Sequence, residues 1–293
     1  MATQVAIVTD TTACIPRDQV DKYGIELVPL EFIFGDQVYR DGIDLSPQEF
    51  YALLRKSEKL PTTSGCMPQP FLKAYHKASQ RAGSILCITI PSQLSGLYDS
   101  AKMAIEMAKE SLRNTVIEVM DCATAAAGQG LVVLAAAKAA ASGKNLADCI
   151  RVARSVMKRV KLLATLDTLN YLVKGGRVPR AAALASSLLK IKPIFTVKDG
   201  DPQPVTNART TAGALKRILQ LMKTEVVKGQ PLHAAVMHGD DLDKALTLKE
   251  NITSKFDCDE IFITEFTPAM GVHTGPGVVG VAFYSGSWDS EFQ

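Results

Sequence analysis

Several short stretches of the chain carry residue types that can do chemistry. Thr9-Asp10-Thr11-Thr12 follows an apolar, β-branched run, where the end of a parallel strand would turn polar side chains toward a ligand crevice. Asp10 there suits an aspartyl nucleophile for phosphoryl transfer, although the second acid such phosphatases place two residues on is Thr12 here. The plainer reading is that Asp10 and its threonines cap the next turn. Pro61-Thr62-Thr63-Ser64-Gly65 and Ile90-Pro91-Ser92-Gln93-Leu94-Ser95-Gly96 each put small hydroxyls at a strand-to-helix junction. Free N–H groups and the helix dipole favour an anion at such a place, whereas simple N-capping asks for the same residues. Neither serine has an acid or histidine base beside it in sequence, which argues against a nucleophile.

Further along, Lys174-Gly175-Gly176-Arg177 sets an arginine beyond two glycines that can end a helix; its guanidinium could also clamp a carboxylate or phosphoryl group. Arg209 falls near a predicted helix start, where a cation is electrostatically misplaced. His273 lies in the glycine-rich stretch Gly271-Val272-His273-Thr274-Gly275-Pro276-Gly277, read as a loop whose backbone can approach a ligand. The cluster Arg151, Arg154, Lys158, Arg159 and Lys161 reads as a solvated helix face. Gly275-Pro-Gly277-Val-Val-Gly280 matches GxGxxG, but β-branched residues follow it, so it is read as a turn into a strand, not a dinucleotide site. There is no GxxxxGK[ST], HExxH or GxSxG.

Composition narrows the classes. The 293 residues suit one large α/β domain or two of ordinary size, and 47% hydrophobic with 22% charged residues excludes a disordered chain. A net charge of +3 is too small to make nucleic acid the expected partner. No apolar run reaches the roughly 18 residues of a membrane span. The first residues lack a basic region and run directly into a strand, so no signal peptide is expected. Cys14, Cys66, Cys87, Cys122, Cys149 and Cys258 form no CxxC pair and are expected as reduced thiols of a cytoplasmic protein. The histidines have no metal-ligand spacing.

The positioning elements can be read from pattern. Strands are predicted at Val5–Thr9, Glu26–Phe34, Ile85–Ile90 and Val116–Met120, alternating with helices at Ser46 onward, Phe71–Ala82 (closing at Gly83), Ser95–Leu112, Ala123–Ser142 and Asn145–Val160. Ser46-Pro47-Gln48-Glu49 is a capping box with proline at the first helical position. The alternation argues for a doubly wound parallel sheet. Past Lys161 the character changes to α+β. Helices are predicted at Leu169–Lys174, Ala181–Lys190, Thr211–Lys228 and Leu242–Phe256, a hairpin around Asp199-Gly200, and strands at Ala234–Met237, Ile261–Glu265 and Val278–Tyr284. The expectation is an α/β protein of two domains, residues 1–163 with the parallel sheet and 164–293 with a mixed sheet, and a ligand site between them.

Taken in order, Thr9–Thr11, Pro61–Ser64, Leu94-Ser95-Gly96-x-Tyr98, Asp121, Tyr171-Leu-x-x-Gly-Gly-Arg177, Ile191-Lys-Pro193, Arg209-Thr and His273-x-Gly-Pro-Gly277 resemble the DegV family. That family of fatty-acid-binding proteins includes the binding subunits of bacterial fatty acid kinase, and the match runs along essentially the whole chain. The resemblance implies one long-chain fatty acid, palmitate for example, in a tunnel between two domains. It implies that Thr63 and Ser95 hold the carboxylate, helped by the N–H groups of Ser64 and Gly96, with His273 close by. Arg177 and Arg209 fall to a phosphotransfer partner. That partner is a kinase subunit which carries the ATP and Mg²⁺ and makes an acyl phosphate; this chain would be a non-catalytic presenting subunit with no cofactor of its own. It would exchange acyl species with the membrane surface in lipid transport and phospholipid metabolism. The sequence departs from the pattern at Ser64-Gly65-Cys66, where the family has Ser-Gln-Pro, and at Gly96-Leu97-Tyr98, where it has Gly-Thr-Tyr. The competing expectation is a stand-alone phosphotransferase or phosphohydrolase built on Asp10.

Overall fold

Strand β1 (Val5–Asp10) is buried along its whole length, as a strand covered on both faces must be. Val5 and Ile7 pack to one side and Ala6 and Val8 to the other, into two separate cores. The computed structural model describes residues 4–178 and 191–290. In it β1 joins β2 (Glu26–Val28), β6 (Ser84–Thr89) and β7 (Val116–Asp121) in the parallel order β2-β1-β6-β7. Helices α3 (Gln69–Ser79) and α4 (Leu97–Ala108) cover one face. Helices α5 (Ala127–Ala141) and α6 (Leu146–Arg159) cover the other, so the sheet is doubly wound. The chain order reverses between β1 and β6, the position where such sheets bind ligands beyond their carboxyl ends.

The second sheet is mixed, in the order β10-β9-β8-β13-β11-β12, with β11 and β12 parallel and the other neighbours antiparallel. Its strands are β8 (Lys161–Thr165), β9 (Lys192–Lys198), β10 (Asp201–Ala208), β11 (Leu232–His238), β12 (Cys258–Glu265) and β13 (Val279–Ser285). Helices α8 (Thr211–Glu225) and α9 (Leu242–Thr253) pack on one face. The other face presents Leu162, Ala164, Ala235 and Ala282 to the core that contains α5. Helix α5 thus lies between the two sheets and is apolar nearly all round, as a helix with no solvent face must be. Alanines let both sheets come close, and Lys138 on the same helix reaches Glu260 at 2.6 Å.

Local signals operate as the sequence indicates at several ends. Ser46 and Glu49 form the capping box of α2 (Pro47–Lys56), and Asn145 caps α6 through the amide of Asp148. Asp199 (φ 52°) and Gly200 (φ 81°) make the tight turn of the β9–β10 hairpin. The tip of that hairpin crosses to the first sheet, where the Gly200 amide donates to the Ala123 carbonyl at 2.8 Å.

Elsewhere the structure differs. The predicted strand Glu26–Phe34 breaks after Val28, because Pro29 offers no N–H to continue the ladder. Its second half, β3 (Glu31–Phe34), leaves the parallel sheet and pairs antiparallel with β4 (Gln37–Arg40) and β5 (Thr62–Thr63). Helix α3 ends at Ser79 with Gln80 as its cap, not at Gly83. Helix α5 starts at Ala127, not Ala123. Strand β8 and the short helix α10 (Pro268–Thr274) are additions to the expected elements. Helix α7 runs from Asn170 to Gly175, and the predicted helix Ala181–Lys190 lies outside the described residues.

Candidate functional site

A cavity of about 700 Å³ opens at the carboxyl ends of β1 and β6 and runs between the two sheets. Its walls are apolar: Leu30, Phe71 and Ala126 come from the first half of the chain, and Leu166, Phe195 and Met237 from the second. At roughly 30 Å³ per water-sized group, the space suits on the order of twenty such groups. It lies within the usual size range of small-molecule sites.

Polar side chains form part of this wall. Thr63 belongs to β5, which is paired through Phe32 to β3, and the edge of this small sheet carries Thr63 to the cavity. Its Oγ1 lies 3.3 Å from Nε2 of His273, which stands in the last turn of α10 and not in a loop. Ser95 precedes α4, whose N-cap is Gly96 with no capping side chain, so Ser95 does not do the capping work first suggested for it. Its hydroxyl instead meets Sγ of Cys66 at 3.3 Å. The Ser100 hydroxyl donates to the Cys66 carbonyl at 3.1 Å, tying this loop to α4. Upstream, the carboxylate of Asp121 accepts the amide and hydroxyl of Ser92, fixing the turn that leads into Ser95.

Ser64 also lines the cavity, but its amide and its hydroxyl both donate to the Glu31 carbonyl, at 3.0 and 3.3 Å. The expected contribution of the Ser64 N–H to an anion is therefore corrected: strand pairing occupies it. Arg177 is exposed at the cavity rim, and its Nη1 donates to the Gly175 carbonyl at 2.7 Å. Arg209 is exposed on the segment between β10 and α8 and contributes nothing to the cavity wall. The cavity thus gathers Thr63, Ser64, Ser95, Gly96, Arg177 and His273, and leaves Arg209 outside.

Burial, and then the charge of Arg177, push His273 down to about 4, so the ring is neutral at neutral pH. The polar part of the lining therefore includes hydroxyl, thiol and neutral imidazole groups, together with the exposed Arg177. Cys66 and the exposed Lys73 also line the cavity, and neither was singled out from sequence as a site residue. A thiol and a lysine belong to no motif there.

Asp10 does something else. It is fully buried and absent from the cavity wall. One oxygen accepts the Thr12 amide at 3.1 Å and the Thr12 hydroxyl; the other accepts the Ile90 amide at 2.9 Å and Gln129 Nε2 at 3.1 Å. Its carboxylate ties β1 to the segment after β6 and to α5, and has no open approach for a phosphoryl group. This corrects the nucleophile reading. Among the described residues no group of three or more His, Cys, Asp or Glu could hold a metal, and no helix is long and apolar enough to cross a membrane. All six cysteine thiols are free.

Comparison with known proteins follows the same lines. The family model described as "Uncharacterised protein, DegV family" matches residues 4–286. A DegV domain-containing protein of Clostridium perfringens is 33% identical over 279 residues, covering 95% of this chain and 98% of the relative. Protein DegV of Bacillus subtilis is 30% identical over 280 residues, covering 95% and 98%. Among solved structures, a fatty-acid-binding DegV family protein from Thermus thermophilus superposes with a TM-score of 0.88 at 28% identity, covering 96% of this chain and 99% of that one. The structure of DegV from Bacillus subtilis, a fatty acid binding protein, gives 0.87 at 30% identity, covering 97% and 99%. Sequence and architecture agree over nearly the full length of both partners, and the chain is a member of the DegV family.

Proposed function

We propose that this protein binds one long-chain fatty acid in the cavity between its sheets and presents the carboxylate to a partner kinase. The observation that carries the reading is a large, mainly apolar cavity whose wall carries the hydroxyls of Thr63 and Ser95. The names of the Thermus and Bacillus relatives support the same ligand class. Each buried methylene contributes about 0.8 kcal/mol, which gives the tail its affinity. A buried carboxylate without partners would cost several kcal/mol, and hydrogen bonds to a charged group return roughly 1.5–3 kcal/mol each. Two hydroxyls and the free amides at the start of α4 offset that cost. Hydrogen bonds to the charged form keep the carboxylate ionised, and as an anion it can accept a phosphoryl group from ATP held by the partner.

In this reading Arg177, exposed on the cavity lining, meets that partner, and the exposed Arg209, off the cavity wall, is a second contact for it. Exchange of acyl chains would take place at the membrane surface. Denaturing the purified protein and extracting it for mass spectrometry tests the ligand: a stoichiometric acyl chain is expected, and an empty extract from protein that also fails to take up added palmitate removes the reading. Mixing loaded protein with a fatty acid kinase subunit and ATP tests presentation, by acyl phosphate that neither component makes alone.

A further inference from the structure

Two aspartates are sealed in the interior, Asp10 and Asp41, each 0% exposed. Their surroundings differ. Three N–H groups and the Thr12 hydroxyl point at Asp10, two donors to each oxygen, which is the donor set of an anion. Asp41, in the turn after β4, has far less. Its Oδ1 accepts the Ala269 amide at 3.0 Å, in the first turn of α10, and its Oδ2 is buried with no hydrogen-bond partner. Among the described residues no cation stands beside either carboxyl, and a charge on Asp10 disfavours a second one on Asp41.

Thr267 holds the N-cap position of α10, yet its hydroxyl makes no capping bond. Asp41, 228 residues away in sequence, takes an α10 amide in its place. The Thr267 hydroxyl oxygen is left buried and unpartnered beside the Asp41 carboxyl. The Thr11 hydroxyl, which accepts the Leu30 amide, is a second neighbour. Two adjoining oxygens without partners are satisfied by one proton between them. Supplied by the threonine, that proton would leave Asp41 ionised and put two negative charges into one core without a cation, at a high desolvation cost. Supplied by the carboxyl, it leaves a single charge, on the aspartate that has the donors. The other titratable groups near Asp41 are Cys14 after β1 and Tyr51 on α2, with Glu265 at the end of β12 near Tyr51. None of them brings a positive charge.

We propose that Asp41 is a neutral carboxylic acid in the folded protein, donating its proton to Thr267 Oγ1, while Asp10 carries the one charge of the pair. The proton clasps the β3–β4–β5 layer to α10, and alkali opens the clasp. The unfolded chain gives the proton up in the ordinary carboxylate range, and the fold keeps it to higher pH. Stability from this source is therefore complete below that range and is lost as pH rises, about tenfold in the folding constant per pH unit until Asp41 ionises in the folded state. The clasp does not depend on what occupies the cavity.

Carbon NMR of the full-length protein labelled with ¹³C at the aspartate carboxyls reads the protonation state directly at neutral pH. One resonance is expected at the position of a neutral acid, and it should vanish in Asp41→Asn. No such resonance, or one that survives in that variant, overturns the proposal. Asparagine carries an acceptor and a donor in the places of the acid's two oxygens, so Asp41→Asn is expected to fold. Urea unfolding at pH 5 and pH 9 should show a larger alkaline loss in wild type than in this variant. Parallel losses, or an Asp41→Asn chain that does not fold, overturn it as well. Asp10→Asn must turn its amide toward groups that themselves donate, so it should unfold at much lower urea than Asp41→Asn. Equal midpoints for the two variants would contradict the placement of the charge.

Discussion

Sγ of Cys66 and Oγ of Ser95 lie 3.3 Å apart, joining two loops that are 29 residues apart in sequence at the wall of the cavity. Burial pushes Cys14, Cys87 and Cys122 up to about 12 and Cys149 to about 11, while Cys258 is half-buried away from the cavity. Cys66 is therefore the thiol expected to react first with iodoacetamide. Bound palmitate should slow its alkylation several-fold, read site by site by mass spectrometry, and leave Cys258 unchanged as an internal control. Equal rates at Cys66 in loaded and empty protein would place the head group elsewhere.

Thr63→Ala and Ser95→Ala are each expected to weaken fatty acid binding by about 1–3 kcal/mol, the range for leaving a buried hydrogen-bonding group unsatisfied. The corresponding methyl ester, which carries no charge, should bind all variants alike. Calorimetric titrations of acid and ester into the two variants and their double mutant separate these outcomes. An ester as sensitive as the acid would mean that the substitutions act through cavity shape.

Acid should weaken the fold partly through His273. Its ring is held at about 4 against an ordinary 6.5, so between those values the unfolded chain binds a proton that the folded one refuses. Stability from this source is complete above pH 6.5 and is lost as pH falls toward 4, on the order of 2–3 kcal/mol. Asp10 and Asp41, raised by burial, act in the opposite direction because the fold retains their protons as pH falls. They are common to wild type and His273→Gln. Urea unfolding at pH 4.5 and 7.5 should thus show a larger acid loss in wild type than in the variant, and parallel losses would assign the effect to other groups.

Gly200 closes the β9–β10 hairpin against the first sheet. An alanine there is strained at φ 81°, runs into Oε1 of Gln93 and stands 3.1 Å from Cβ of Pro91. Gly200→Ala should lift the tip from the Ala123 carbonyl, at about 1–2 kcal/mol of stability, and speed release of bound fatty acid. Gly229→Ala has a comparable φ of 80° with nothing within 4 Å, so it should cost stability without changing release. Stopped-flow displacement of a fluorescent fatty acid from both variants provides the comparison, and identical release rates would deny the hairpin any part in retention.

The features most readable in the sequence are those decided within a few residues. Ser46 with Glu49, Asn145 with Asp148, and Asp199-Gly200 each form contacts inside one turn of chain, and local chemistry suffices to place them. The three-stranded β3–β4–β5 sheet was hidden because β5 is two residues long and β4 exposes Val38, leaving no buried alternation to read. Helix α10 was hidden by its glycines: Gly271 suggests a loop, yet it lets the α10 backbone lie against Phe50 and Tyr51. Thr63 and His273 are 210 residues apart, and the family resemblance named both while leaving their contact unstated. Asp10 looked chemical because its polar neighbours resemble a site; Thr12 among them donates to it, as the capping reading has it, but its other donors, Ile90 and Gln129, lie 80 and 119 residues away and only the fold brings them in.

Helix α5 keeps the two sheets apart, and Ala125 and Ala126, just before its first turn, form part of the cavity wall. Where these two residues stand, the bore of the cavity is accordingly set by methyl side chains at the foot of a rigid spacer, while Leu30, Phe71, Phe195 and Met237 line other parts of it. A bulkier residue at Ala125 or Ala126 would narrow the bore, and one on the adjoining α5 would wedge the sheets apart, so the room in the cavity and the cohesion of the protein meet in one stretch of chain.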